Sequence, residues 1–404
     1  MTESNSSGPD DPHGESHPSV RRPAQPPLGE PVLAGEPVRA ELVMAGNADD
    51  VIRSPDDVAD LNRPQPLREG PPREGPPRRR RVILPIVLFV ASCLSTFWVG
   101  TTFLVSKEMK NAARGAAEAY LPQRLQEEPE LAGNAEALTE IREQVELLYL
   151  VEHNYPNGLT YMCAVIGILL CHEMGHFLQT LRHRVPASLP FFIPMPVGPI
   201  GTMGAVIGMD GSRANRRELF DIGLTGPIAG LLVLLPVTWI GIQNAAVKPI
   251  PKEEVMHSAN TVIVKFDKPW LLVEMEAYLR PDVPEGHQLE LNPLWLAGWV
   301  GMLITGLNMM PISQLDGGHV IYALFGRQRA HAIAKIFLIA AILYIIFADA
   351  TMWAMMLILV ILIGPTHPPT ADDSAELSFA QKLIGYVSLA IPFLCFPPQG
   401  ITFQ

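Results

Sequence analysis

Five uncharged stretches constrain this chain more than any other feature: Val82–Ser106, Asn154–Cys171, Ile222–Val247, Leu291–Leu315 and Leu383–Gln404. Each is near or above the roughly 18–20 residues that a membrane-spanning helix needs. A further pair, Ile336–Ala348 and Ala350–Gly364, is split only by Asp349 and reads as a tight helical hairpin. With 48% hydrophobic residues and a mean hydropathy of +0.19, the 404-residue chain is too apolar for an ordinary soluble protein of its size. The expectation is an all-α polytopic membrane protein of about seven spans, embedded in a lipid bilayer. The formal net charge of −11 sits largely in loops and tail and points to no nucleic-acid partner. Cys93, Cys163, Cys171 and Cys395 all fall within apolar runs, without disulfide or zinc-ribbon spacing, and read as small buried hydrophobes.

Charge and proline divide the chain. Residues 1–80 hold 15 of the 39 prolines, no aromatic residue and the tandem REGPPREGPP, a composition expected to be disordered. Arg78–Arg81 abut the first apolar run (81–106), which places the N-terminus on the cytoplasmic side. An acidic extracytoplasmic segment (107–157) follows. Its Leu138, Ile141, Val145 and Leu148 recur at helical spacing, as in an amphipathic helix on the membrane body or a surface linker. The central region is 158–320. Within it, residues 185–209 are uncharged, but five prolines there disfavour a spanning helix. A re-entrant loop, followed by one crossing at 222–247, brings the polar ends of the flanking spans to the same depth. Gly226 and Gly230 suit close helix packing. Residues 248–290 form an extracytoplasmic insert, and 321–404 carry the C-terminal spans. No organellar targeting pattern is visible, which favours a bacterial cytoplasmic membrane.

The stretch ILLCHEMGHFLQT at Ile168–Thr180 sets His172, Glu173 and His176 inside one apolar span. Ionisable groups in hydrocarbon cost a few kcal/mol each and persist mainly for function. His172 and His176, at i and i+4, share a helical face and can chelate one ion, with Glu173 beside them as a base rather than a ligand. Zinc lowers the pKa of a bound water toward 7, and Glu173 can take its proton. A pair of hydrogen-bonded histidines in a helix bundle is the plainer alternative. The best candidate for a third ligand is distant. Asn308–His319 reads NMMPISQLDGGH, where Asp316 ends an uncharged span and Gly317-Gly318 suit a close backbone approach.

HEMGH followed by NxxPxxxLDG on a later span resembles the site-2 protease family of intramembrane zinc metalloproteases, peptidase family M50. The resemblance runs from about Gly158 to His319. It implies one Zn2+ per chain on His172, His176 and Asp316, with Glu173 as the catalytic base. It also implies that Asn308 helps hold the substrate backbone or oxyanion, a helix cap being the other reading of that residue. The substrate would be a transmembrane helix of another membrane protein. Its backbone amides are bonded internally, so cleavage needs unwinding. The extended edge near Thr202–Met209, including Thr202, Gly204 and Ala205, could take up the unwound segment by strand addition. Pro365–Asp372 (PTHPPTAD) resembles a branch of the family with chloroplast members and carries no assigned role. His183 and His319 are not expected to be ligands. A metal-binding scaffold or chaperone of the same fold and a metal-ion transporter remain the alternative functions. A prenyl-protein peptidase would need a glutamate ligand in place of LDG.

Overall fold

A computed structural model describes residues 82–250 and 264–403. The proline-rich segment 1–80 lies outside the described residues. The described chain is mostly helical. Four of its helices are long and apolar enough to cross a membrane: α1 (Ile83–Thr102), α3 (Ala135–Arg182), α4 (Arg216–Gln243) and α8 (Arg327–Phe347).

α2 (Lys107–Glu127) follows α1 and packs back along α3. The acidic amphipathic segment and the second span are therefore not separate elements. They form one 48-residue helix, about 72 Å long at 1.5 Å per residue, and the boundary expected at 157 falls inside it. Pro156 lies within this helix. Buried Asn154 donates from Nδ2 to the carbonyls of Thr101 (2.7 Å) and Leu104 (3.0 Å), satisfying acceptors that the end of α1 leaves open.

The proline-rich run after α3 is not helical, as its prolines require. It folds into a ribbon of β1 (Phe191–Pro194) and β2 (Thr202–Val206), antiparallel, with Phe191 opposite Val206 and Phe192 opposite Ala205. Phe192 packs edge-to-face on Phe89 of α1 at 5.1 Å, and Tyr161 of α3 donates its hydroxyl to the Ile200 carbonyl at 2.7 Å. The ribbon is thus fixed between two helices.

α4 starts at a capping box. The Asn215 side chain accepts from the Arg217 and Glu218 amides, and Glu218 returns a bond to the Asn215 amide. The insert holds β3 (Val247–Pro249), β4 (Val264–Phe266), α5 (Trp270–Leu279) and β5 (His287–Leu289), with β3 paired to β5. α6 (Pro293–Asn308), capped by Asn292 with proline at its first position, has 16 residues, fewer than the run Leu291–Leu315 suggests. The chain then turns, and α7 (Asp316–Phe325) begins at Asp316.

The expected hairpin after residue 326 forms as α8 and α9 (Ala354–Ile363), joined through Asp349 at φ +52°. The final uncharged run departs from expectation. Leu383–Gln404 is not one span but parts of α10 (Phe379–Ser388), α11 (Ile391–Cys395) and β6 (Ile401–Phe403), which pairs with β4. Pro392, Pro397 and Pro398 leave amide positions that a continuous helix cannot use. The three two-stranded ribbons qualify the all-α expectation. The four cysteines are free; Cys395 is buried, whereas Cys163 lies on the exposed face of α3.

Candidate metal centre

The helical period brings His172 and His176 onto one face of α3, their ring centroids 5.0 Å apart. Both are buried, as is Glu173 between them in sequence. Asp316 arrives from the opposite side at the first residue of α7, where unpaired amides favour a carboxylate. Gly317 and Gly318 make this approach feasible. A Cβ on Gly317 would lie 2.0 Å from the Met309 carbonyl oxygen, and one on Gly318 would lie 2.3 Å from that of Ser313.

Asp316 faces both imidazoles with one oxygen each: Oδ2 is 3.1 Å from His172 Nε2 and Oδ1 is 3.3 Å from His176 Nε2. One ligand atom from each of the three residues lies within 4.8 Å of the others. Zinc bonds of 2.0–2.2 Å in a tetrahedron place neighbouring donors about 3.3–3.5 Å apart, close to the two carboxylate–imidazole gaps, and two imidazoles with one carboxylate are donors that suit zinc. His176 Nδ1 donates to the Ile222 carbonyl at 2.7 Å, which leaves Nε2 as the lone-pair nitrogen aimed at Asp316. Among the described residues Glu173 has no hydrogen-bond partner. Its carboxylate borders the same cavity, of about 320 Å³, as His176, Asp316 and Asn308.

α4 supplies the back wall. A Cβ at Gly226 would lie 2.0 Å from His176 Nε2, and one at Gly230 would lie 3.0 Å from His172 Nδ1. The two glycines do serve close helix approach. Their placement opposite both rings could not be read from GLTGPIAG without knowing which helix faces α4.

Asn308 ends α6 with its Nδ2 3.4 Å from His172 Nε2, too long for a strong bond but beside the centre. Ala205, at the cavity wall, and Thr202 and Gly204 all lie on β2. Thr202 Oγ1 donates to the Ile193 carbonyl at 3.0 Å and accepts from the Gly204 amide at 3.1 Å, so its side chain fixes the ribbon rather than facing a ligand. His183 sits apart, beside Glu218 and Asp221. His319 also borders the cavity, against His367 of the PTHPPTAD segment.

The sequence profile described as peptidase family M50 matches residues 160–348, which enclose His172, Glu173, His176, Asn308 and Asp316. The match to peptidase family M50 covers just under half of the chain. That similarity and the apolar helices make this an integral membrane protein. It is 29% identical over 257 residues to the "Probable zinc metalloprotease EGY2, chloroplastic" of Arabidopsis thaliana, covering 63% of this chain and 44% of that one. It is 32% identical over 186 residues to the "Probable zinc metalloprotease EGY1, chloroplastic" of the same plant, covering 46% and 32%. The matching protein of that name from Oryza sativa subsp. japonica is 30% identical over 173 residues, covering 43% and 29%. The chain thus spans less than half the length of these curated relatives. Their names place them in chloroplasts and lend no support to a bacterial cytoplasmic membrane. No solved structure matches the chain.

Proposed function

We propose that this chain is a zinc metalloendopeptidase of the M50 type that hydrolyses peptide bonds within or beside transmembrane segments of other membrane proteins. The observation that carries the reading is the convergence of His172, His176 and Asp316, one ligand atom of each within 4.8 Å of the others, with an unpartnered Glu173 at the same cavity.

His172, His176 and Asp316 would hold the zinc, which would supply Lewis acidity at the cavity. Glu173 would serve there as the base that accepts a proton from a water and the acid that returns it to the departing amine nitrogen. Asn308, whose Nδ2 lies 3.4 Å from His172 Nε2, would donate to the oxygen on which negative charge develops. The substrate strand adds to the free edge of β2. Ser188 N–H donates to the Gly208 carbonyl at 2.8 Å, so Gly208, and by alternation Val206, turn their polar groups toward β1. Ala205 and Ile207 therefore turn theirs away from β1, and both border the cavity. A larger apolar groove of about 770 Å³, between α8, α9 and the turn after α6, is lined by Leu307, Met309 and Met310, which flank Asn308 in sequence, and is suited to an apolar helix before it unwinds.

The test is Glu173→Gln in the full chain, reconstituted with zinc. Metal content should match the wild type while cleavage of a transmembrane peptide falls by about 10²–10⁴-fold, the usual scale for a lost acid–base group. Undiminished cleavage would remove Glu173 from the chemistry. Metal-dependent ion flux in proteoliposomes without any peptide product would favour the transporter instead.

A further inference from the structure

The segment Pro365–Asp373 contributes nothing to the metal set, yet it is tied down along its whole length. Ser313 N–H donates to the Pro365 carbonyl at 3.0 Å, and Ala371 N–H donates to that of Ala214 at 2.9 Å. Arg216 N–H donates to the Asp372 carbonyl at 3.0 Å, and the Tyr322 hydroxyl donates to the Asp373 carboxylate at 2.9 Å. These anchors come from the turn before Asp316, the start of α4 and α7 itself. They hold the segment as one wall of the catalytic cavity, which His367 and Pro368 line.

His367 is buried, with the Tyr322 ring 4.6 Å from its own. Its Nε2 lies 2.6 Å from Nδ1 of His319. The protons in this pair can be assigned. His367 Nδ1 is hydrogen-bonded to the Pro368 carbonyl, which can only accept, so Nδ1 carries the proton. Burial holds the ring below the usual imidazole range and therefore neutral, so His367 Nε2 is a lone pair. His319 Nδ1 must then be the donor, and a neutral His319 presents Nε2 as an acceptor. That nitrogen has no partner among the described residues. His319 stands one turn beyond Asp316, on the same face of α7, and lines the cavity.

An extended substrate that pairs with β2 satisfies only one of its two edges. The amides on its far edge have left their own helix and enter the cavity, where an unpaired N–H shielded from water costs as much as a lost hydrogen bond. We propose that His319 is a substrate-contacting residue whose Nε2 accepts a hydrogen bond from a backbone N–H on the substrate edge turned away from β2. His367 is its positioning residue and fixes the tautomer. The pairing makes the cavity specific for a residue with a free N–H at that position and excludes proline there. This assignment rests on the protease reading above.

The experiment uses the zinc-loaded full chain in detergent micelles and a synthetic peptide with one apolar segment weakened by central glycines. Esters replace the peptide's amides one at a time, each removing a single N–H. With the wild type, an ester at one position near the cut should lower kcat/KM by about fivefold, the scale of one neutral hydrogen bond. With His319→Phe, at unchanged zinc content, the amide peptide should be cut about fivefold more slowly and the ester at that position should cause no further loss. His367→Phe, which leaves the catalytic residues intact, should flatten the same position in the same way. Identical ester profiles for the wild type and both variants overturn the contact while leaving the protease reading standing. Failure of the zinc-loaded wild type to cut any peptide of the series overturns the protease reading, and this contact with it.

Discussion

At the residue scale, the ionisable groups were legible in the sequence and their neighbours were not. His172, Glu173, His176 and Asp316 stand out because a charge in an apolar run has no cheap explanation. Glycine carries no such signal, yet Gly226 decides whether His176 can occupy its position. An added methyl 2.0 Å from Nε2 has no room unless the ring or α4 moves. Gly226→Ala should therefore abolish zinc retention and reduce cleavage at least 100-fold, while Gly230→Ala, at 3.0 Å from His172 Nδ1, should weaken both less. Metal analysis of the two purified variants, beside a melting curve to confirm folding, checks the ordering. Equal zinc content in Gly226→Ala and the wild type would show that the ring has space the coordinates do not indicate. Asp316→Asn probes the third donor separately. The amide oxygen is a poorer ligand than a carboxylate, so zinc affinity should fall while α7 keeps its start, as equilibrium dialysis against a chelator would measure.

At the scale of elements, the helices near the centre followed from uncharged runs of spanning length, and the non-helical stretch after α3 from the prolines that forbid a helix. What could not be read was which distant strands pair. β6 joins β4 across more than a hundred residues, and nothing local in Leu383–Gln404 distinguishes that outcome from a span except its prolines. The 48-residue helix was also hidden, because a proline and a shift from acidic to apolar composition suggest a break where none occurs. The β2 reading makes a directional prediction. By alternation from Gly208, Ala205 and Ile207 turn their amides away from β1, whereas Val206 turns its amide toward it. Ile207→Pro should remove one donor from the free edge and lower kcat/KM about fivefold, with zinc content unchanged. Val206→Pro should instead break the ribbon and lower the melting temperature. Cleavage undiminished in the double variant Ala205→Pro, Ile207→Pro would mean that substrate does not pair there.

At the scale of the whole molecule, the distribution of charge along α3 sets the orientation. A bilayer core of about 30 Å accommodates less than half of its length, so its acidic first part must project beyond the apolar layer. Glu136, Glu140, Glu143, Glu146 and Glu152 lie on that part, while Arg182, Arg184, Arg213, Arg216 and Arg217 cluster where α3 ends and α4 begins. Arg327 and Arg329 open α8 with the same sign. Positive charge collects on the side from which it is not translocated, so the expectation is that these ends share that face and the α2–α3 hairpin lies on the other. His176 lies six residues before Arg182, about 9 Å of helix, and in that orientation the metal centre would sit just below the arginine-rich surface. A version lacking Cys93, Cys163, Cys171 and Cys395 tests this arrangement. A single cysteine at Ser212 should react with an impermeant thiol reagent only from the cytoplasmic side, and one at Glu130 only from the opposite side. Labelling of both from one side would place the hairpin and the α3–α4 connection on the same face. In that case α3 could not cross the membrane, and the centre it carries would lie outside the bilayer.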